Sequence, residues 1–177
     1  PGRTGTKAAA WYRATIPAGG SLVIRARLAR EEAPAGVHEV DQVVALRDQA
    51  YERYGAVHLL CNNAGVASGR PNHKTKPAVW QWVVGVNLLG PAYAVWAFSP
   101  AMIEQGEGHI VNTASEAGLA STPMLGSYHA SKYGVVGLSE SLAMELSGTG
   151  VGVSCLCPEL VDTKIFEATR NAPAALG

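Results

Sequence analysis

The chain has 177 residues, 47% of them apolar, with 14 Lys and Arg balancing 14 Asp and Glu. That length supports one domain with a substantial core. A charged fraction of only 16% excludes a disordered polyelectrolyte and leaves no overall basic field to attract nucleic acid, so a small-molecule partner is expected.

In chain order, the first 36 residues stand apart. Ala, Gly, Pro and Arg fill 22 of them, and neither a 2 nor a 3.6 period holds for long. Arg3, Lys7, Arg13, Arg25, Arg27 and Arg30 fall there without an acidic residue before Glu31, leaving residues 31–177 with a net charge of 8 − 14 = −6. Residues 21–26 are the only plausible strand in this segment. From there the pattern becomes regular. Helical stretches at 40–54, 78–105 and 127–147 alternate with short apolar runs at 57–61, 109–112 and 151–157. The runs are rich in Val, Leu, Ile or Cys, as strands buried on both faces of a parallel sheet are. Gly55, then Gly106 with Gly108, then Gly148 with Gly150 provide the helix stops. Strict alternation of helix and strand predicts an α/β fold with a parallel sheet.

Residues 77–103 carry no charge and are long enough to cross a membrane. They also contain Gln81, Asn87, Ser99, Gly85, Gly90, Pro91 and Pro100, which favour a long buried or interface helix and no membrane partner. Cys61, Cys155 and Cys157 lack metal-like spacing. Cys-x-Cys on a strand points both thiols to one face, and the three read as reduced core residues of a cytoplasmic protein with no metal. No Asn-x-Ser/Thr acceptor occurs, and no apolar signal segment stands at the start of the sequence.

Four places carry chemistry. Asn62-Asn63-Ala64-Gly65 follows the first apolar run directly, where an open α/β sheet puts its ligand-facing loops. By itself such a stretch is more often a plain turn. Tyr128 and Lys132, four apart in a helical stretch, project from one face. Alone, this pair is usually solvated helix surface. Chemically, a phenol ordinarily titrates near pH 10, and a unit charge at about 4 Å in a dielectric of about 20 is worth about 4 kcal/mol, or about three pKa units. Lys132 is therefore expected to bring Tyr128 close to neutrality, fit to exchange a proton with an alcohol oxygen. Ser115, just past the second strand, has a hydroxyl able to hold a carbonyl beside that phenol, unless it is only a turn residue. Asn87, among Val86, Leu88 and Leu89, must find partners, because an unpaired buried amide costs a few kcal/mol. A helix kink, a bridging water or a proton-relay water would account for it.

Smaller features read more plainly. His129 is a packing or surface residue. Arg70, His73, Lys74 and Lys76 form a solvated basic loop. Trp80, Trp82 and Trp96 are packing or interface anchors, and residues 119–126 border a pocket with an apolar wall.

The order and spacing of Asn-Asn-Ala-Gly, Asn87, Ser115, Tyr128-His-Ala-Ser-Lys132 and Pro158-x-x-Val161-x-Thr163 resemble the short-chain dehydrogenase/reductase family from about Val37 to Gly177. The resemblance implies a Rossmann-like, doubly wound parallel sheet, incomplete here, and an oxidoreductase that uses NAD or NADP to interconvert a secondary alcohol and a ketone. It makes Tyr128 the catalytic acid/base, Ser115 the group that orients the substrate oxygen, and Asn87 the holder of a relay water. Lys132 would lower the tyrosine pKa and bind the nicotinamide ribose. Asn63, Ala64 and Gly65 would line the adenosine side, and the segment from Val161 to Thr163 the nicotinamide end. A homodimer or homotetramer formed through the 77–103 and 127–147 helices is implied too.

The sequence departs from that pattern upstream. The family's Thr-Gly-x-x-x-Gly-x-Gly turn has no counterpart, since Ala9 and Trp11 stand where glycines should follow Thr4-Gly5, and no Gly-x-Gly-x-x-Gly occurs anywhere. Those glycines let the backbone reach a pyrophosphate. The residue that chooses between NAD and NADP is missing, Val37 and His38 stand where an Asp is expected, and Glu159 replaces the glycine after Pro158. The sequence stops before the family's final helix and strand. Two segments follow as an expectation: residues 1–36, a leader from a shifted reading frame or misplaced start, and residues 37–177, the catalytic portion. Two functions follow as well, an oxidoreductase or an inactive, dimerising remnant unable to hold cofactor.

Overall fold

The computed structural model describes residues 37–161, 165 and 172. The expected strand at 21–26 and the leader lie outside them, as does Thr163. The described chain runs α1 (Val37–Tyr54), β1 (Leu59–Asn62), α2 (Pro77–Val84), α3 (Gly90–Gln105), β2 (Gly108–Thr113), α4 (Gly126–Glu145) and β3 (Val151–Leu156). Each expected helix and strand from residue 40 onward is present, with ends shifted by a few residues.

The helix stops work as glycine chemistry requires. Gly55 (φ 77°) and Gly106 (φ 76°) take left-handed conformations that close α1 and α3 by returning their N–H groups to Tyr51 O at 2.8 Å and Met102 O at 3.1 Å. The 78–105 stretch is not one uniform helix. A π-helical turn, Gly85–Leu89, joins α2 to α3, with the Gly90 N–H donating to Gly85 O. Such turns recur at functional sites, and this one contains Asn87. The rod Pro77–Gln105 passes a length and hydropathy criterion for a membrane span, yet its α3 part places Ala97, Phe98 and Met102 in the main core.

The sheet is parallel in the order β1-β2-β3. Register aligns Leu60 with Ile110 and Val153, and Asn62 with Asn112 and Cys155. Because strand side chains alternate, these residues share one face. On that face Leu60, Ile110 and Val151 join Val43 and Ala50 of α1, Ala97, Phe98 and Met102 of α3, and Leu142 with Leu146 at the end of α4 in a single cluster. The opposite face carries Leu59, Cys61, His109, Val111, Thr113, Ser154 and Leu156, none of them buried. The three cysteines are free thiols, and all are half-buried rather than core residues.

Candidate active site

The site forms at the carboxyl ends of the strands, where β2 and β3 keep pairing after their regular portions end. Ala114 N–H donates to Leu156 O at 2.8 Å, and Glu116 N–H donates to Pro158 O at 2.9 Å. These two bonds hold Ser115 between them. Its backbone is extended, and its hydroxyl accepts from Ala117 N–H at 3.2 Å while reaching Pro158 O at 3.5 Å. Ser115 therefore caps the short turn Glu116–Gly118 as well as facing the site. Gly118 allows that turn to lie against α4, because a Cβ there would stand 2.7 Å from Lys132 O.

From α4, Lys132 reaches into the same region. It is only 3% exposed, its Nζ donates to Thr113 O at 2.8 Å, and it lies 5.6 Å from the centre of the Tyr128 ring. The helical spacing thus does bring both side chains to one place. Burial lowers the lysine pKa to about 8, against the opposing influence of Cys155 and Cys157. The expected effect of Lys132 on Tyr128 is not what the structure shows. Burial raises the phenol pKa above its ordinary value, and the side chain pulling it down is the hydrogen-bonding Ser115 hydroxyl. A lysine charge at about 4 Å in a dielectric of about 20 omits desolvation, which is the larger influence on the half-buried ring.

Asn87 is 1% exposed and fully partnered. Its Oδ1 accepts from Val66 N–H at 2.8 Å, and its Nδ2 donates to Val66 O at 2.9 Å and Ser131 Oγ at 3.0 Å. Ser131 Oγ in turn donates to Tyr128 O at 2.7 Å. Asn87 therefore clamps the segment after the Asn-Asn-Ala-Gly turn and links it to α4 behind Tyr128. Within that turn Gly65 comes close to the site: a Cβ on it would be 3.7 Å from Lys132 Nζ and 4.0 Å from Asn87 Oδ1. Asn63 and Ala64 instead line a shallow cleft beside β1, walled by Val43, Leu46, Phe98 and Pro91. Val161 is more than half exposed.

Two features escaped the sequence reading. Asn62 Nδ2 donates to Asn112 Oδ1 at 2.8 Å, and Asn112 Nδ2 donates to Ser139 Oγ at 3.0 Å, bracing β1, β2 and α4 beneath the site. The in-line position of Asn62 and Asn112 at the two strand ends was the available signal. Ser131 is the second. His129 is indeed a packing residue, with a definite task. Nδ1 meets Ala117 O at 2.9 Å and Nε2 accepts from Thr122 N–H at 2.9 Å, so Nδ1 carries the proton and the ring pins the loop after Ser115. In the basic loop, Arg70 N–H donates to Met124 O at 2.7 Å, docking it beside the start of α4.

Comparison with known proteins shows the family and the fold. The short chain dehydrogenase family profile matches residues 30–174, and the chain belongs to that family, whose members are oxidoreductases. It is 36% identical over 130 residues to the CLA biosynthesis dehydrogenase/reductase of Lactiplantibacillus plantarum, covering 72% of this chain and 46% of the relative. It is 31% identical over 134 residues to the D-beta-hydroxybutyrate dehydrogenase of Rhizobium meliloti, covering 76% and 52%. Among solved structures, a short chain dehydrogenase/reductase from Burkholderia phymatum in complex with NAD is 49% identical, with a TM-score of 0.76, over 78% of this chain and 50% of that one. The chain spans about half the length of the curated relatives it matches, and the fold is the Rossmann-like sheet of these neighbours, of which the described residues form three strands.

Proposed function

We propose that this chain carries the proton-transfer half of an NAD(P)-dependent oxidoreductase that interconverts a secondary alcohol and a ketone, with Tyr128 as acid/base. The observation that carries the reading is the convergence of Ser115, Tyr128 and Lys132 at the carboxyl end of β2. In it, the Ser115 hydroxyl holds the substrate oxygen and Tyr128 gives that oxygen a proton or takes one from it. Lys132 is cationic below about pH 8. It spends one N–H on Thr113 O and retains donors for a ribose hydroxyl. Gly65, without a side chain, leaves room beside that ammonium. These residues suit the nicotinamide-ribose end of a dinucleotide, which when bound supplies or accepts the hydride. Asn87 positions α4 through Ser131 and would hold the relay water. Among the described residues nothing corresponds to the glycine-rich turn that would meet the pyrophosphate.

Cytoplasmic localisation, a small alcohol or carbonyl substrate and a homo-oligomer complete the reading. Trp96 and Ile103 on α3 and Tyr133 and Met144 on α4 are all exposed, as helix faces that meet a second copy are. The remnant reading draws its support from Glu159, which is exposed beside Pro158. Titration with NADH and NADPH, followed by nicotinamide fluorescence, separates the two. Saturable enhancement together with a Tyr128→Phe loss of about 10²–10⁴-fold in turnover supports the enzyme. No binding of either nucleotide overturns it for this chain. Glu159→Gly is expected to tighten binding, and equal dissociation constants would remove the carboxylate from the account.

A further inference from the structure

Cys155 and Cys157 lie behind the catalytic groups, and the proposed mechanism uses neither. Their sulfurs are 3.9 Å apart, both residues are half-buried, and both thiols are close enough to Lys132 to influence its charge. Cys61 cannot join them. Its register partners are Val111 and Ser154, which project from the other face of the sheet. The pair also stands at a sensitive point of the backbone. Between and after the two cysteines lie Leu156 and Pro158, whose carbonyls accept the bonds from Ala114 and Glu116 that bracket Ser115.

We propose that Cys155 and Cys157 form a peroxide-oxidisable dithiol, and that its closure into a disulfide withdraws Ser115 from the site. One thiolate attacks a peroxide oxygen, becoming a sulfenic acid as the other oxygen leaves and is protonated to water. The second sulfur then displaces the sulfenic hydroxyl, which leaves as water. Two thiols lose two electrons and two protons, and the peroxide ends as two waters.

Strand geometry sets the consequence. Residues two apart on a strand have Cα atoms about 6.6 Å apart, close to the upper end of the range a disulfide spans. Closure must therefore pinch the strand at Leu156. That pulls the Leu156 and Pro158 carbonyls from Ala114 N–H and Glu116 N–H, and the Ser115 hydroxyl loses its place beside Tyr128. A bond formed under such strain is easily reduced, the property of regulatory rather than structural disulfides.

The consequence for turnover rests on the oxidoreductase reading, but the test does not. The full chain is treated with hydrogen peroxide, digested and weighed, with amide hydrogen exchange measured before and after. The peptide holding both cysteines is expected to lose two hydrogen atoms and regain them with dithiothreitol, while Cys61 stays a thiol. Exchange at Ala114 and Glu116 is expected to quicken severalfold. Cys157→Ser should abolish the mass loss. Separate sulfinic acids, links between chains, or unreacted thiols would overturn the dithiol; a disulfide with unchanged exchange would overturn its link to Ser115. A chain that binds no nucleotide still decides both points, and a dithiol that fails to close leaves the role of Tyr128 intact.

Discussion

The two faces of the sheet differ more than the strands that compose them. On one, Ile110 and Met102 have no exposure at all and three helices share a single apolar cluster. On the other, Val111 and Cys61 are half-buried and Leu156 is half-exposed. Stability and chemistry are thus both supported from one side. Asn112, on the covered face, braces the strand ends, while Ser115, Tyr128 and Lys132 lie at the rim above it. Among the described residues, the strand positions on that second face include no buried side chain.

This division places the largest losses on the covered face. Met102→Ala should cost about 2–5 kcal/mol, the usual range for emptying a fully buried site, as read from denaturant midpoints. Asn112→Ala comes next. It takes the acceptor from Asn62 Nδ2 and the donor from Ser139 Oγ, which keeps its bond to Val135 O, at about 1–3 kcal/mol, and a cycle with Ser139→Ala should show coupling rather than additivity.

Lys132 gives a smaller effect with a definite sign. Its pKa falls from 10.5 to about 8 on burial. Below that value the folded protein bears the full cost of a buried charge. As pH rises past about 8 the folded state releases the proton while the unfolded state keeps it, so stability rises with pH. Cys157, from 9.0, and Tyr128, from 10.0, have raised values and act oppositely at higher pH, which makes the interval from about 8 to 9 the informative one. Lys132→Met should abolish the rise there. An unchanged slope would show that the buried lysine is not its source.

Much of this arrangement is legible in the sequence, and the part that is not has a common cause. Apolar runs and glycines announce β1, β2 and β3 because burial and left-handed caps leave local marks. Tyr128 and Lys132 share a face because helical periodicity is local too. Asn62–Asn112 and Asn87–Ser131 join residues 50 and 44 positions apart, pairings that depend on strand register and on how α4 lies against the π-helical turn. The direction of the Tyr128 shift fails for the same reason. Desolvation depends on everything that packs around the ring, whereas the charge of Lys132 can be read from four residues away.

The smallest expected effect is the sharpest test of the two-faced description. Val→Thr keeps the β-branched shape and exchanges a methyl for a hydroxyl, so it measures whether a position is wet. Val151, 6% exposed in the covered core, should lose about 1–3 kcal/mol when changed to Thr. Val111→Thr should stay within about 0.5 kcal/mol, as surface changes do. Were Val111→Thr to cost as much as Val151→Thr, the second face would be dry in solution, covered by another part of the chain or by a second copy. Repeating the pair across protein concentrations tells these apart, since only a second copy makes the cost depend on concentration.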